Sequence, residues 1–221
     1  MNRSVAVITI GQTPRTDVMP ELERFLGPDV RVVEAGALDD LTKAEVEAIA
    51  PETTGSILVT RLRDGSEVKL GEDFVFPHTQ ECIRRVEHQV DLILLLCTGS
   101  FPRLDSRKLI LYPDQILFNV VRGVGARRIG VFTPAPEQLD RQLERWSKFV
   151  AQVVVQAASP YGSAGQLEDA LLRFDRNDLD LVVMDCVGYT HAMKSRVRDV
   201  LKRPVLLARS VAARVTAELI A

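Results

Sequence analysis

The chain has 221 residues, 46% of them hydrophobic and 26% charged, with 28 Lys and Arg against 30 Asp and Glu and a formal charge of −2 at pH 7. That length holds one large core or two lobes of about 100 residues each, and the composition excludes disordered and fibrous architectures. The near-neutral balance sets up no field for nucleic acid or an anionic membrane surface, and the apolar run Leu92–Cys97 falls far short of the about 20 residues of a membrane span.

In chain order, Val5–Ile10 predicts a strand. Thr13-Pro14 predicts a helix start, with Thr as cap and Pro at the first helical position, and Gly27 ends that segment. Val30–Val33 reads as a strand, and Thr42–Ile49 as a short helix opened by a capping box of Thr42 and Glu45. Ile57–Leu62 and Glu67–Leu70 flank Asp64-Gly65, a hairpin signal. Beyond it, His78–Val90 predicts a helix, Asp91–Cys97 and Lys108–Leu111 strands, Asp114–Val124 a helix and Arg128–Thr133 a strand. Pro136–Val150 (helix), Val153–Gln156 (strand), Ser163–Phe174 (helix) and Leu179–Cys186 (strand) follow. The chain closes with helix His191–Leu201, strand Pro204–Ala208 and helix Ser210–Ile220. Such alternation predicts βαβ units and parallel sheet, an α/β fold with helices flanking each sheet.

The start of the chain is a poor signal peptide, and three widely spread cysteines form neither a disulfide framework nor a metal knuckle. The expectation is a soluble cytoplasmic protein with reduced thiols, no metal and no nucleotide cofactor. Gly123-x-Gly125 precedes a strand and lacks the third glycine of a dinucleotide fingerprint.

The sequence repeats itself. Ser4–Arg15 resembles Arg128–Gln138, each a strand running into Thr-Pro, at Thr13 and Thr133. Asp91–Ser100 resembles Asp180–Tyr189: both begin Asp-Leu, continue apolar and end in Cys followed within two residues by Gly. Two pseudo-symmetric lobes are predicted, residues 1–112 plus 209–221 and residues 113–208. A helix and hairpin at about 39–72 are inserted in the first.

Ligands of open parallel sheets sit beyond the carboxyl ends of the strands. Gly11–Arg15, Cys97–Ser100, Thr133-Pro134 and Cys186–Tyr189 fall there. This nominates Gln12, Thr13, Arg15, Thr98, Gly99, Ser100, Thr133, Pro134, Gly188 and Tyr189 for ligand binding. If a pseudo-twofold relates the lobes, Cys97 and Cys186 meet across a cleft. One thiolate then removes a proton beside a carboxylate, and the opposite thiol returns one. Gly99 and Gly188 admit backbone N–H groups to an anion, and Arg15 suits a carboxylate. His191, five residues after Cys186, is a candidate to assist that thiol; Cys82 reads as core.

ITIGQTPR at the start, DLILLLCTG in the middle, and VMDCVGY with PVLLARSVAARVTAEL at the end resemble the AroM family over nearly the whole chain. That family is itself similar to the aspartate/glutamate/hydantoin racemase superfamily. The resemblance implies two flavodoxin-like lobes about a pseudo-dyad, a ligand cleft between them and no cofactor. RRIGVFTP and the Cys-x-Gly-Tyr segment are also similar to the arylmalonate decarboxylase and maleate isomerase branches. By this resemblance Cys97 and Cys186 match the two catalytic thiols, and Thr13, Thr98 and Thr133 the carboxylate-binding positions. His191 only roughly matches a histidine that follows the second thiol in glutamate racemases. Gly11-Gln12-Thr13 replaces their usual Asp-Ser. The expected activity is a cofactor-independent racemase or isomerase of a small carboxylate. A single-thiol decarboxylase or cis–trans isomerase and a non-catalytic carboxylate sensor are the alternatives. The hairpin edge suggests a homo-oligomer.

Overall fold

A computed structural model describes residues 3–49, 56–174 and 179–220. The first half runs β1 (Arg3–Thr9), α1 (Met19–Leu26), β2 (Val30–Gly36), α2 (Lys43–Ala48), β3 (Ile57–Arg61), β4 (Glu67–Gly71), α3 (Glu72–Val86), β5 (Leu92–Leu95) and β6 (Leu109–Leu111). Then come α4 (Pro113–Gly123), β7 (Arg128–Thr133), α5 (Leu139–Ser147), β8 (Gln152–Ala157) and α6 (Ala164–Arg173). The chain ends with β9 (Leu181–Met184), α7 (His191–Leu201), β10 (Val205–Leu207) and α8 (Ala208–Ile220). Among the described residues no helix is long and apolar enough to cross a membrane.

The strands form two four-stranded sheets, β2-β1-β5-β6 and β10-β9-β7-β8, with every neighbouring pair parallel. Central strands buried on both faces require near-continuous apolar runs. Leu92–Leu95 and Leu181–Met184 supply them, buried at every position. The hairpin β3–β4 is a separate antiparallel pair, with Ile57 opposite Gly71 and Arg61 opposite Glu67. It matches the predicted insertion, of which residues 50–55 lie outside the described residues, as do residues 1, 2 and 221 of the predicted first lobe. The chain divides into two compact units, residues 1–113 with 212–221 and residues 114–211.

Each unit has its own core. In the first, Ala6, Ile8, Ile93 and Leu95 of the sheet pack with Cys82, Ile83 and Val86 of α3. In the second, Phe132, Val182 and Met184 pack with Leu167, Ala170 and Leu171 of α6 and Val197 of α7. A further apolar cluster joins the insertion (Val46, Leu58, Leu70) to Ile10, Leu38, Val75 and Cys97.

The sheet registers fix the repeat. Ile8 pairs with Leu95 and Phe132 with Met184, so Thr9 is the counterpart of Thr133 and Cys97 of Cys186. Thr13, predicted as the partner of Thr133, lies four residues further on. The hydrogen bonds repeat in the same register. Ala37 N–H donates to Thr9 O and Ala158 N–H to Thr133 O, both at 2.9 Å. Asp91 accepts from the N–H and hydroxyl of Ser4, and Asp180 from the N–H groups of Arg127 and Arg128. The repeated Asp therefore clips the start of each central strand.

Three predicted boundaries move. Thr13-Pro14 does not open α1, and its peptide bond is cis. The Thr13 hydroxyl donates to Asp39 instead of accepting a helix N–H, and the helix begins at Met19 with Pro20 in its first turn. Helix α3 starts at Glu72, six residues before the predicted His78. Glu72 and Asp73 complement the positive end of its dipole, and Val75, Thr79, Cys82, Ile83 and Val86 continue one buried stripe through Pro77. The segment Pro136–Gln138 is a 3-10 turn, and α5 ends at Ser147. The capping box of Thr42 and Glu45 is present as predicted.

Candidate active site

Each repeat carries its cysteine two residues beyond the last residue of a central strand, β5 or β9. The turn then folds back on the sulfur. Gly99 N–H approaches Cys97 Sγ at 3.3 Å, and Gly188 N–H approaches Cys186 Sγ at 3.4 Å. The same N–H-to-sulfur contact thus recurs in both turns. Both cysteines are reduced and mostly buried, 8% and 6% exposed. Space dictates the glycines. A Cβ on Gly99 would stand 2.6 Å from Leu58 Cδ2, and one on Gly188 would stand 2.6 Å from both Pro160 Cγ and the Tyr161 hydroxyl.

Cys82 differs. It is 1% exposed in the core of the first unit. Burial pushes its thiol pKa up against the opposing Arg85 guanidinium, 3.2 Å away.

Beyond β1, the nominated residues bind the protein itself. The Gln12 amide donates to the Leu38 and Leu41 carbonyls and accepts from Arg63 N–H. Thr13 gives its N–H and its hydroxyl to the two oxygens of Asp39, at 2.7 and 2.9 Å. The carboxylate of Asp39 also accepts from Gly36 N–H. Arg15, 3% exposed, forks onto Asp17 through Nε and Nη2 and reaches Thr9 Oγ1 through Nη1. Burial would raise the Asp17 pKa, but the hydrogen bond and charge of Arg15 outweigh it and hold the carboxyl below its ordinary range. The carboxylate that Arg15 holds is thus one of the protein's own.

In the second unit, Thr133 is fully buried and donates its hydroxyl to Gln138 at 2.8 Å; Pro134 is buried beside it. Tyr189, nominated for ligand binding, lies in the core. Its ring packs edge-on to Phe132 and its hydroxyl donates to Ala158 O at 2.6 Å. His191 is exposed in the first turn of α7 and contacts the Ser210 hydroxyl at 3.3 Å through Nε2. Thr98 is buried next to Cys97, and Gly99 and Ser100 are half-buried. The loop after Cys97 runs to β6 with no helix between them, whereas α7 follows Cys186.

Sequence reasoning passed over four residues. Thr9 is the true repeat partner of Thr133. Asp39 organises the loop after β1. Leu58 packs on Gly99. Arg209, 4% exposed, donates from Nε to Val187 O and from Nη2 to Gly188 O, so a buried cation braces the turn after Cys186. Its position just past β10, at the ligand-bearing edge of the sheet, was the available signal.

Behind Cys186 lies a buried acidic pair. Asp185 accepts from Trp146 Nε1 at 2.9 Å, and Asp114 faces Arg145 at 3.5 Å. Burial, with the Asp185 charge adding to it, outweighs Arg145 and pushes the Asp114 pKa up to about 6. Among the described residues no three His, Cys, Asp or Glu side chains gather where they would hold a metal.

A family model described as AroM protein matches residues 5–220. Among solved structures, the maleate isomerase Iso from Pseudomonas putida S16 is 13% identical with a TM-score of 0.63, over 98% of this chain and 93% of its own. The Picrophilus torridus aspartate racemase is 12% identical with a TM-score of 0.64, over 98% and 94%. An arylmalonate decarboxylase is 15% identical with a TM-score of 0.59, over 98% and 91%. At these identities the likeness is one of fold. No curated protein is similar enough in sequence to serve as a relative.

Proposed function

The chain belongs to the AroM family, and on that premise we propose that it is a cofactor-independent racemase or isomerase of a small carboxylate, with Cys97 and Cys186 as acid and base. The observation that carries the reading is the duplicated turn: in each unit a cysteine just past the central strand receives the N–H of the glycine two residues on. One thiolate takes the proton on the carbon next to the carboxylate, leaving an enolate-like oxyanion. The other thiol delivers a proton to the opposite face, and the two sulfurs exchange protonation states. Backbone N–H groups of Thr98 and Ser100 beside Cys97, and of Val187 beside Cys186, stabilise the developing charge. The solved structures of the same fold include an aspartate and an allantoin racemase, a maleate cis–trans isomerase and an arylmalonate decarboxylase, in line with chemistry at such a carbon.

Incubation of enantiopure 2-substituted carboxylates with the protein in D₂O should place deuterium on the α-carbon. Replacing either cysteine by serine should lower the rate at least ~100-fold. Folded wild-type protein that exchanges no member of a broad panel would refute the activity.

A second reading uses Cys186 alone, as a decarboxylase or cis–trans isomerase. It draws on an asymmetry: a buried guanidinium, Arg209, braces the turn after Cys186, whereas the Leu58 side chain walls the turn after Cys97, although both sulfurs lie in apolar clusters. Full turnover by Cys97→Ser would select it.

A further inference from the structure

The turn after Cys97 is walled by the inserted hairpin. Leu58 and Thr60 stand two residues apart on β3 and so share one of its faces. That face meets the ends of two sheet strands. Leu58 Cδ2 lies 2.6 Å from where a Cβ on Gly99 would stand, and Leu58 shares the apolar cluster of Cys97. Thr60 Oγ1 lies 2.4 Å from the equivalent point on Gly11. Thr60 is 2% exposed, and among the described residues its hydroxyl has no hydrogen-bond partner. It is the polar group of that wall with hydrogen-bonding capacity to spare.

The cations on this side are already engaged. Arg15 holds Asp17. Arg61 reaches Asp17 at 3.5 Å and donates to Gly65 O. Arg63 donates to Thr13 O and reaches Asp39 at 3.5 Å. A second carboxylate on a guest would have to displace these internal acceptors or exchange its hydration for the single hydroxyl of Thr60. An apolar group meets Leu58 without that penalty.

We infer that β3 forms one wall of the Cys97 subsite, and that the guest there is a monocarboxylate with a small apolar α-substituent whose size Leu58 limits. This rests on the placement of Cys97 at the reacting centre proposed above.

The test compares α-deuteration of alanine, 2-aminobutyrate, valine and 2-phenylpropionate with that of aspartate, glutamate and 2-methylsuccinate, each as a single enantiomer. Alanine and 2-aminobutyrate, the small apolar monocarboxylates, should exchange at least ~10-fold faster than the dicarboxylates. Leu58→Ala should shift preference about tenfold toward valine and 2-phenylpropionate, and the milder Leu58→Val should shift it less in the same direction. Dicarboxylates exchanging as fast or faster would overturn the inference while leaving the two-thiol activity in place, as would folded Leu58 variants with unchanged preference. A second readout needs no turnover: protection of Cys97 from iodoacetamide, mapped by peptide mass. If no acid exchanges, the proposed activity fails, and protection by alanine or 2-aminobutyrate but not by aspartate still supports the wall. Equal protection, or none, overturns it.

Discussion

The two units share a strand order and a hydrogen-bond register, yet they build the surroundings of their cysteines differently. The turn after Cys186 is braced by a buried guanidinium, a proline and two tyrosines. The turn after Cys97 is covered by an apolar side chain from a hairpin with no counterpart among the described residues of the second unit. Where the first unit has buried Leu96, the second has buried Asp185. A duplicated sheet therefore conserves the position of the sulfur and its N–H donor, and leaves the wall around it to insertions and to single residues at strand ends.

The largest expected effect breaks the comparison at Asp39, whose counterpart in the repeat register is Pro160. Asp39→Ala strips an acceptor from Thr13 N–H, the Thr13 hydroxyl and Gly36 N–H. It should cost about 3 kcal/mol, read by urea denaturation. Hydrogen exchange should rise in the first unit and stay unchanged in the second. Exchange rising equally in both units would show that the insertion network is not local to the first.

A similar but opposite effect belongs to the second unit. Asp114 has an ordinary pKa of 3.8, raised to about 6 in the folded chain. The folded state then binds the proton more tightly than the unfolded chain. The associated stability is complete below pH 3.8 and is lost as pH rises through about 6. Asp114→Asn should stabilise the protein at pH 8 by up to about 3 kcal/mol, less what the Arg145 pairing contributes, and the gain should vanish below pH 4. Denaturation midpoints at the two pH values check this. A gain independent of pH would point to packing instead of charge.

The smallest effect sharpens the comparison at the glycines. Gly188→Ala drives a methyl into a proline ring and a tyrosine, whereas Gly99→Ala meets the flexible end of Leu58. Gly188→Ala should cost about 2–3 kcal/mol and Gly99→Ala about 1 kcal/mol, measured as differences in unfolding free energy. Equal costs would mean that the two walls are equally rigid.

The alternation of apolar runs with amphipathic stripes, the repeated Asp-Leu…Cys-x-Gly segments and the Thr42 capping box were all legible in the residues. Each rests on local spacing, and local spacing is what periodicity records. The Asp-Leu repeat gave the Cys97–Cys186 correspondence correctly. The Thr-Pro repeat misled, because the dipeptide sits at different depths in the two loops, and only the strand register equates Thr9 with Thr133. Pro77 concealed the first turn of α3, since a proline reads as a boundary whether or not a buried stripe runs past it.

Sequence alone determined two parallel sheets, their duplication and a thiol at the carboxyl edge of each. It did so because burial on both faces forces continuous apolar strands, and a repeated chain must repeat its strand ends. Tertiary structure decided which polar side chains keep a free hand. Gln12, Thr13 and Arg15 are spent on Leu38, Asp39 and Asp17, and Leu58 reaches Gly99 from some 40 positions away. A hydrogen-bond donor looks the same in a sequence whether its acceptor is a guest or a neighbour, and only the folded chain brings that acceptor within 3 Å.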